Sequence, residues 1–178
     1  DEHLKIPHQL VTLNSGKSYK LSKKITVEFI HITHSIPQTA IVVIHTPYGK
    51  VVYANDFKLD NAPMLGKKTD YARLKKLGKD GVKLLIINSL YAHEHKKCPS
   101  ESVAQEMLRD TMLSVSSEGK AMIVTTFSSH LARLKSIIAL GHKLNRKIVL
   151  LGRSLDKYVA AGERLGLINF TNQVTLLR

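Results

Sequence analysis

The chain has 178 residues, with 27 Lys plus Arg against 14 Asp plus Glu, a formal net charge of +13 and 43% hydrophobic content. That content can fill a core, which excludes a disordered chain, and no apolar run reaches the ~18 residues of a membrane span. The single Cys98 excludes an intrachain disulfide framework and points to a reducing compartment, while the basic surplus points to a polyanionic partner, most simply nucleic acid.

The chain opens on Asp1 rather than Met, which reads as processing or truncation. Ile25, Val27 and Phe29 alternate with Thr26 and Glu28, the pattern of a half-buried strand. Ala40 to His45 and Lys50 to Ala54 are β-branched runs around a Pro47-Tyr48-Gly49 hairpin turn, so residues 1–60 read as antiparallel. Thr69-Asp70 predicts the cap of a short helix bearing Ala72, Leu74 and Leu77, ended by Gly78. Leu84-Leu85-Ile86-Ile87 predicts a strand buried on both faces. Pro99-Ser100-Glu101 opens a longer helix with Val103, Met107, Leu108 and Met112 on one side. After a polar break at Ser116 to Gly119 come a strand (121–126), a helix (129–140), a strand (147–151) and a helix (155–165). This βαβα order predicts a parallel sheet.

Four stretches carry residue types suited to chemistry. His34 follows a strand and precedes Pro37, a place from which an imidazole can enter a cleft and ligate a metal. Asp56 leaves the next strand at the same sheet edge, where a carboxylate can bridge two cations. On spacing alone, a backbone-satisfied His and a turn Asp are the favoured readings of the two. His93, His95 and Cys98 superficially resemble a zinc site, but Lys96 and Lys97 favour a solvated basic loop. Finally, Ser128, Ser129 and His130, and then Arg153 and Ser154, stand at two strand–helix junctions. Free amides and hydroxyls there suit a phosphate, and N-capping by Ser128 or Ser129 is compatible with it.

These pieces resemble, in order and spacing, the ribonuclease J family, in the β-CASP group of metallo-β-lactamase-fold nucleases. His34-Ser35-Ile36-Pro37 is similar to its H-S-I-P motif. Asp56-Phe57-Lys58, 22 residues after His34, is similar to its G-D-F-K motif. Pro99-Ser100-Glu101 resembles its P-S-E helix start. Thr126 to His130 and Leu151 to Ser154 resemble the opening βα units of its β-CASP domain. The match runs from about Val27 to Phe170 and has the flavour of archaeal ribonuclease J. The resemblance implies an α/β fold: part of a metallo-β-lactamase αββα sandwich over 1–117, then the first βα units of a β-CASP domain over 118–178.

The resemblance further implies a zinc-dependent hydrolase of RNA phosphodiesters with two zinc ions per complete site. His34 would ligate one zinc and Asp56 would bridge both, while Ser128, Ser129, His130, Arg153 and Ser154 would contact phosphates. Single-stranded RNA is the implied partner, without a membrane. The implied location is the cytoplasm, with a possible homodimer of the full-length protein. The family's H-x-H-x-D-H signature is absent from these 178 residues and is expected upstream, with the late His motifs downstream. The chain therefore reads as a central fragment that is inactive in isolation. Asn55 stands in place of the family's Gly, and Asn88 in place of an acidic residue before Ser89. An amide cannot supply the charge that orients a His or a metal-bound water. Asn88 thus motivates an alternative: a divergent, non-catalytic RNA-binding relative of the same fold.

Overall fold

A computed structural model describes residues 10–177. The first nine residues, which the sequence reading includes in its antiparallel segment and first domain, and Arg178, in its second, lie outside them. The elements in chain order are β1 (Ser18–Lys20), β2 (Thr26–His31), β3 (Ala40–Thr46), β4 (Gly49–Ala54), α1 (Tyr71–Lys79), β5 (Leu84–Ile87), α2 (Glu101–Leu113), α3 (Leu131–Lys143), β6 (Val149–Leu151), α4 (Arg153–Arg164) and β7 (Thr175–Leu177).

Strands β1 to β5 form one sheet in sequence order. The first four pair antiparallel, as the alternation predicts, and β5 pairs parallel to β4. Gly49 closes the β3–β4 hairpin at φ +126°, where only glycine is unstrained. Ile30 faces Ile41 and Val43 faces Val52 across the ladder. Together with Ile32, Ala54 and Leu77 of α1 they make the first buried cluster, against which Leu74 and Phe57 pack. Helix α1 starts where expected: the Asp70 carboxylate accepts from the Arg73 amide. It runs one residue past Gly78.

A second cluster unites Leu131, Leu134 and Ile138 of α3 with Leu150, Val159 and Phe170. Strands β6 and β7 pair parallel beside it. Leu65, from the loop before α1, packs on this second cluster.

Three expectations need correction. β5 is about half exposed on both faces, because neither buried cluster of the described residues takes in its side chains. Residues 121–126 form no strand: they pair with nothing among the described residues, and Ile123 is 91% exposed. Lys120 and Ser117 at its start are instead held by the Arg146 guanidinium. The apolar side of α2 is also not a buried stripe. Val103 and Met107 are exposed, and the buried positions of the helix are Met112 and, unexpectedly, Glu101.

Candidate functional site

Because β2 and β4 both run antiparallel to β3, and β5 runs parallel to β4, the C-terminal ends of β2, β4 and β5 lie at one sheet edge. His34 follows β2, Asp56 follows β4 and Asn88 follows β5. Two strand spacings, about 10 Å, separate the β2 and β4 ladders at that edge. His34 and Asp56 are both exposed. His34 Nδ1 lies 3.2 Å from Ser35 Oγ, and Asn88 Nδ2 donates to Asp56 Oδ1. At a place where the resemblance implies a second acid, the amide thus satisfies the carboxylate rather than repelling it.

A zinc ion needs three or four ligands. Among the described residues no group of three or more His, Cys, Asp or Glu is placed to hold a metal ion. His34 and Asp56 therefore fall short of a zinc site by themselves. His93, His95 and Cys98 lie exposed on the loop before α2, as the solvated reading has it, and the nearest ion pair there is Lys96 with Glu94.

The edge continues inward as a polar network. The Thr33 amide donates to Thr69 Oγ1, and the Thr33 hydroxyl donates to the Lys58 carbonyl. The Lys58 amide in turn donates to the Thr33 carbonyl at 2.8 Å. Asp60 is buried and accepts from the Ala62 and Glu101 amides, each at 2.8 Å. Burial alone would raise the Asp60 pKa, but these backbone donors, with Ser100 and Lys58, bring it below the usual carboxylate value.

Glu101 is the centre of this network. Its carboxylate, 9% exposed, meets Lys58 Nζ at 2.8 Å, Arg133 Nη2 at 2.8 Å and His130 Nε2 at 3.3 Å. Burial again pushes its pKa up, yet the donors His130 and Lys58 and their charge outweigh this and hold it far below the ordinary range. Sequence reading placed Glu101 only as a helix start, where an acid is ordinary. What it missed is that two cations, Lys58 and Arg133, and the His130 imidazole converge there. The triplet Pro99-Ser100-Glu101 carried the only signal.

The phosphate candidates divide into two sets. Ser128 and Ser129 are half-buried in the turn before α3, and the N-cap position itself is taken by His130, whose side chain makes no cap bond. The expected capping by Ser128 or Ser129 is therefore absent, because His130 occupies the cap and turns its ring toward Glu101. Its Nδ1 is buried without a hydrogen-bond partner among the described residues. Arg153 and Ser154 stand exposed at the start of α4, after Gly152 at φ +134°. A narrow cleft runs between the halves, lined by His34, Pro37, Lys58, Lys67, Glu101 and His130. It brings His34 and His130 to one cavity, while Asp56, Arg153 and Ser154 do not line it.

The β-CASP domain of ribonuclease J, as a family model, matches residues 119–177. The chain is 46% identical to ribonuclease J of Pyrococcus abyssi over 168 residues, covering 94% of this chain and 37% of that protein. It is 42% identical to ribonuclease J of Methanocaldococcus jannaschii over 171 residues, covering 96% and 38%. This chain is similar to a fragment of ribonuclease J over most of its own length, and residues 119–177 match that family's β-CASP domain. Ribonuclease J of Helicobacter pylori strain J99 is similar at 37% over 147 residues, covering 83% and 21%. The higher identities to the first two agree with the archaeal flavour of the motifs. The chain spans under two-fifths of the length of the first two ribonuclease J relatives. Among solved structures, a protein of unknown function from Enterococcus faecalis V583 shares the fold, with a TM-score of 0.55 at 16% identity over 89% of this chain and 36% of that one. The α/β class and the β-CASP unit expected of a ribonuclease J relative are thus both present.

Proposed function

We propose that this chain is the RNA-gripping middle of a zinc-dependent ribonuclease that hydrolyses single-stranded RNA, and that on its own it binds RNA without cleaving it. The observation that carries the reading is the pairing of two features. One sheet edge bears His34 and Asp56, and two helix starts bear Ser128, Ser129, Arg153 and Ser154, in a chain whose net charge is +13. The basic surplus draws the polyanion. Hydroxyls, amides and the Arg153 guanidinium then hold successive phosphates. In the complete protein, His34 and Asp56 would add one imidazole and one carboxylate to a two-metal site, which activates water and offsets charge on the phosphate. Two donors do not hold zinc, so cleavage is absent from the isolated chain.

The domain division at 117/118, a cytoplasmic location and a homodimer of the complete protein belong to the same reading. The lone Cys98 supports the reducing compartment. The alternative, a non-catalytic RNA-binding relative, is favoured by one contact, the Asn88 amide on Asp56 where an acid is expected.

The test is a binding and cleavage assay on this chain with a labelled single-stranded RNA oligonucleotide. Binding that weakens steeply with salt, and no hydrolysis with added Zn²⁺, are expected. Zinc-dependent cleavage by these 178 residues overturns the proposal. Absence of cleavage by the full gene product, with RNA binding intact, selects the alternative.

A further inference from the structure

Helix α2 is placed in an unusual way. Its apolar residues Val103 and Met107 are exposed, and only Met112, near its far end, is buried, so no apolar stripe fixes its start. Its start is moored instead: the Glu101 amide donates to Asp60 at 2.8 Å, and the Ser100 hydroxyl donates to the Ala62 carbonyl at 3.1 Å. The buried Glu101 carboxylate then reaches in two directions. Toward the sheet it holds Lys58, which stands two residues from Asp56 and whose own amide donates to the Thr33 carbonyl beside His34. Toward the second half it holds Arg133 and His130, the residue next to Ser128 and Ser129. A buried ion cluster contributes little stability over an apolar core of the same volume; what it can add is one fixed arrangement of the groups around it.

We propose that Glu101 is a positioning residue: it sets the turn at Ser128–His130 at a fixed place relative to the strand-end loop that carries Asp56. The inference rests on the RNA-binding reading, since its consequence is the register between gripped phosphates and the sheet edge. It also makes a prediction of unexpected sign. Removing an anion from a basic surface should, on charge alone, tighten RNA binding. Loss of a positioning group should weaken it.

The experiment measures the affinity of the whole chain for a labelled single-stranded RNA of about 12 nucleotides across salt concentrations, together with the ¹H–¹⁵N NMR spectrum. Glu101→Gln is expected to weaken binding about tenfold with the salt slope unchanged, because no phosphate-contacting cation is lost. Its amide shifts should change on both sides of the joint, at Lys58–Asp60 and at Ser128–Leu131. Arg133→Gln cuts only the link to α3, on a part-exposed side chain. It is expected to weaken binding about threefold with the salt slope unchanged, and it carries the decision if Glu101→Gln does not fold; a slope reduced by about one would mark a lost phosphate contact and overturn the proposal. Tighter or unchanged binding overturns the proposal, as do shift changes confined to α2. If the unaltered chain binds no RNA, the RNA reading fails by itself. The shift map still decides the joint, with changes on both sides supporting it.

Discussion

The apolar cluster around Val43 and the one around Ile138 differ in what closes them. In the first, three long strands alternate their side chains onto one face and α1 lays Leu74 and Leu77 over it. The ladder fixes each strand end, and His34 and Asp56 follow such ends by three and two residues. In the second, α3 and α4 supply Leu131, Leu134, Ile138 and Val159, and the closure is a short strand pair and Phe170. The Phe170 and Thr171 amides, each at 2.7 Å, are gathered by the Glu163 carboxylate. Strand ends suit side chains whose separation matters, as metal ligands require. Helix starts offer amides and hydroxyls to a ligand that only has to be gripped, as a phosphate does. The division of labour proposed for the two halves follows from that contrast.

The largest expected effect falls on the helical cluster. Ile138 is 1% exposed, and Ile138→Ala should cost about 4 kcal/mol. If Glu101 couples the clusters, urea unfolding followed by far-ultraviolet dichroism and by a probe in the sheet shifts as one transition. An early helical loss that leaves the sheet signal in place breaks the coupling.

Acid should strike the sheet side harder. Glu28 is drawn below its ordinary value by the Arg73 guanidinium, against burial and with help from His45. Asp60 and Glu101 are lowered as described. All three carboxylates are therefore more acidic folded than unfolded. Their stabilisation is complete above the unfolded values, 4.5 for the two glutamates and 3.8 for Asp60, and is lost as pH falls through the lower folded values. The urea midpoint should fall by a few kcal/mol equivalent between about pH 6 and pH 3. Glu101→Gln should flatten that slope, and an unchanged slope would remove Glu101 from the account.

RNA binding sharpens the contrast from the other side. Arg153→Ala should lower affinity about fivefold and reduce the salt slope by about one. His34→Ala should leave both unchanged in this chain. Equal losses would place the grip on the sheet edge instead. The smallest effect is Asp70→Ala, which removes the α1 cap bond and should cost about 1 kcal/mol by chemical denaturation, with RNA affinity unmoved.

The sheet half was legible because period-two alternation and a capped helix start are local signals. Ile30, Val43 and Val52 announce their buried face, and Asp70 announces its helix. Periodicity reports which side chains are apolar, however, and not whether a partner lies beside them. Leu84 to Ile87 and residues 121–126 have the composition of buried strands, yet among the described residues one is an edge and the other is unpaired. Glu101 escaped for a related reason. Its partners Lys58 and Arg133 stand 43 and 32 residues away, and no local pattern joins them.

The bare outer margin of β5 has a consequence for how this chain behaves in quantity. Four consecutive large apolar residues, each about half exposed, sit on a strand whose far side has no ladder partner among the described residues. Such a margin is a template for a second copy of itself. Folding of this chain therefore races against sheet extension between molecules, a race whose outcome turns on concentration. The same net charge of +13 that draws RNA also acts as the brake, keeping copies apart at low ionic strength and releasing them as salt rises.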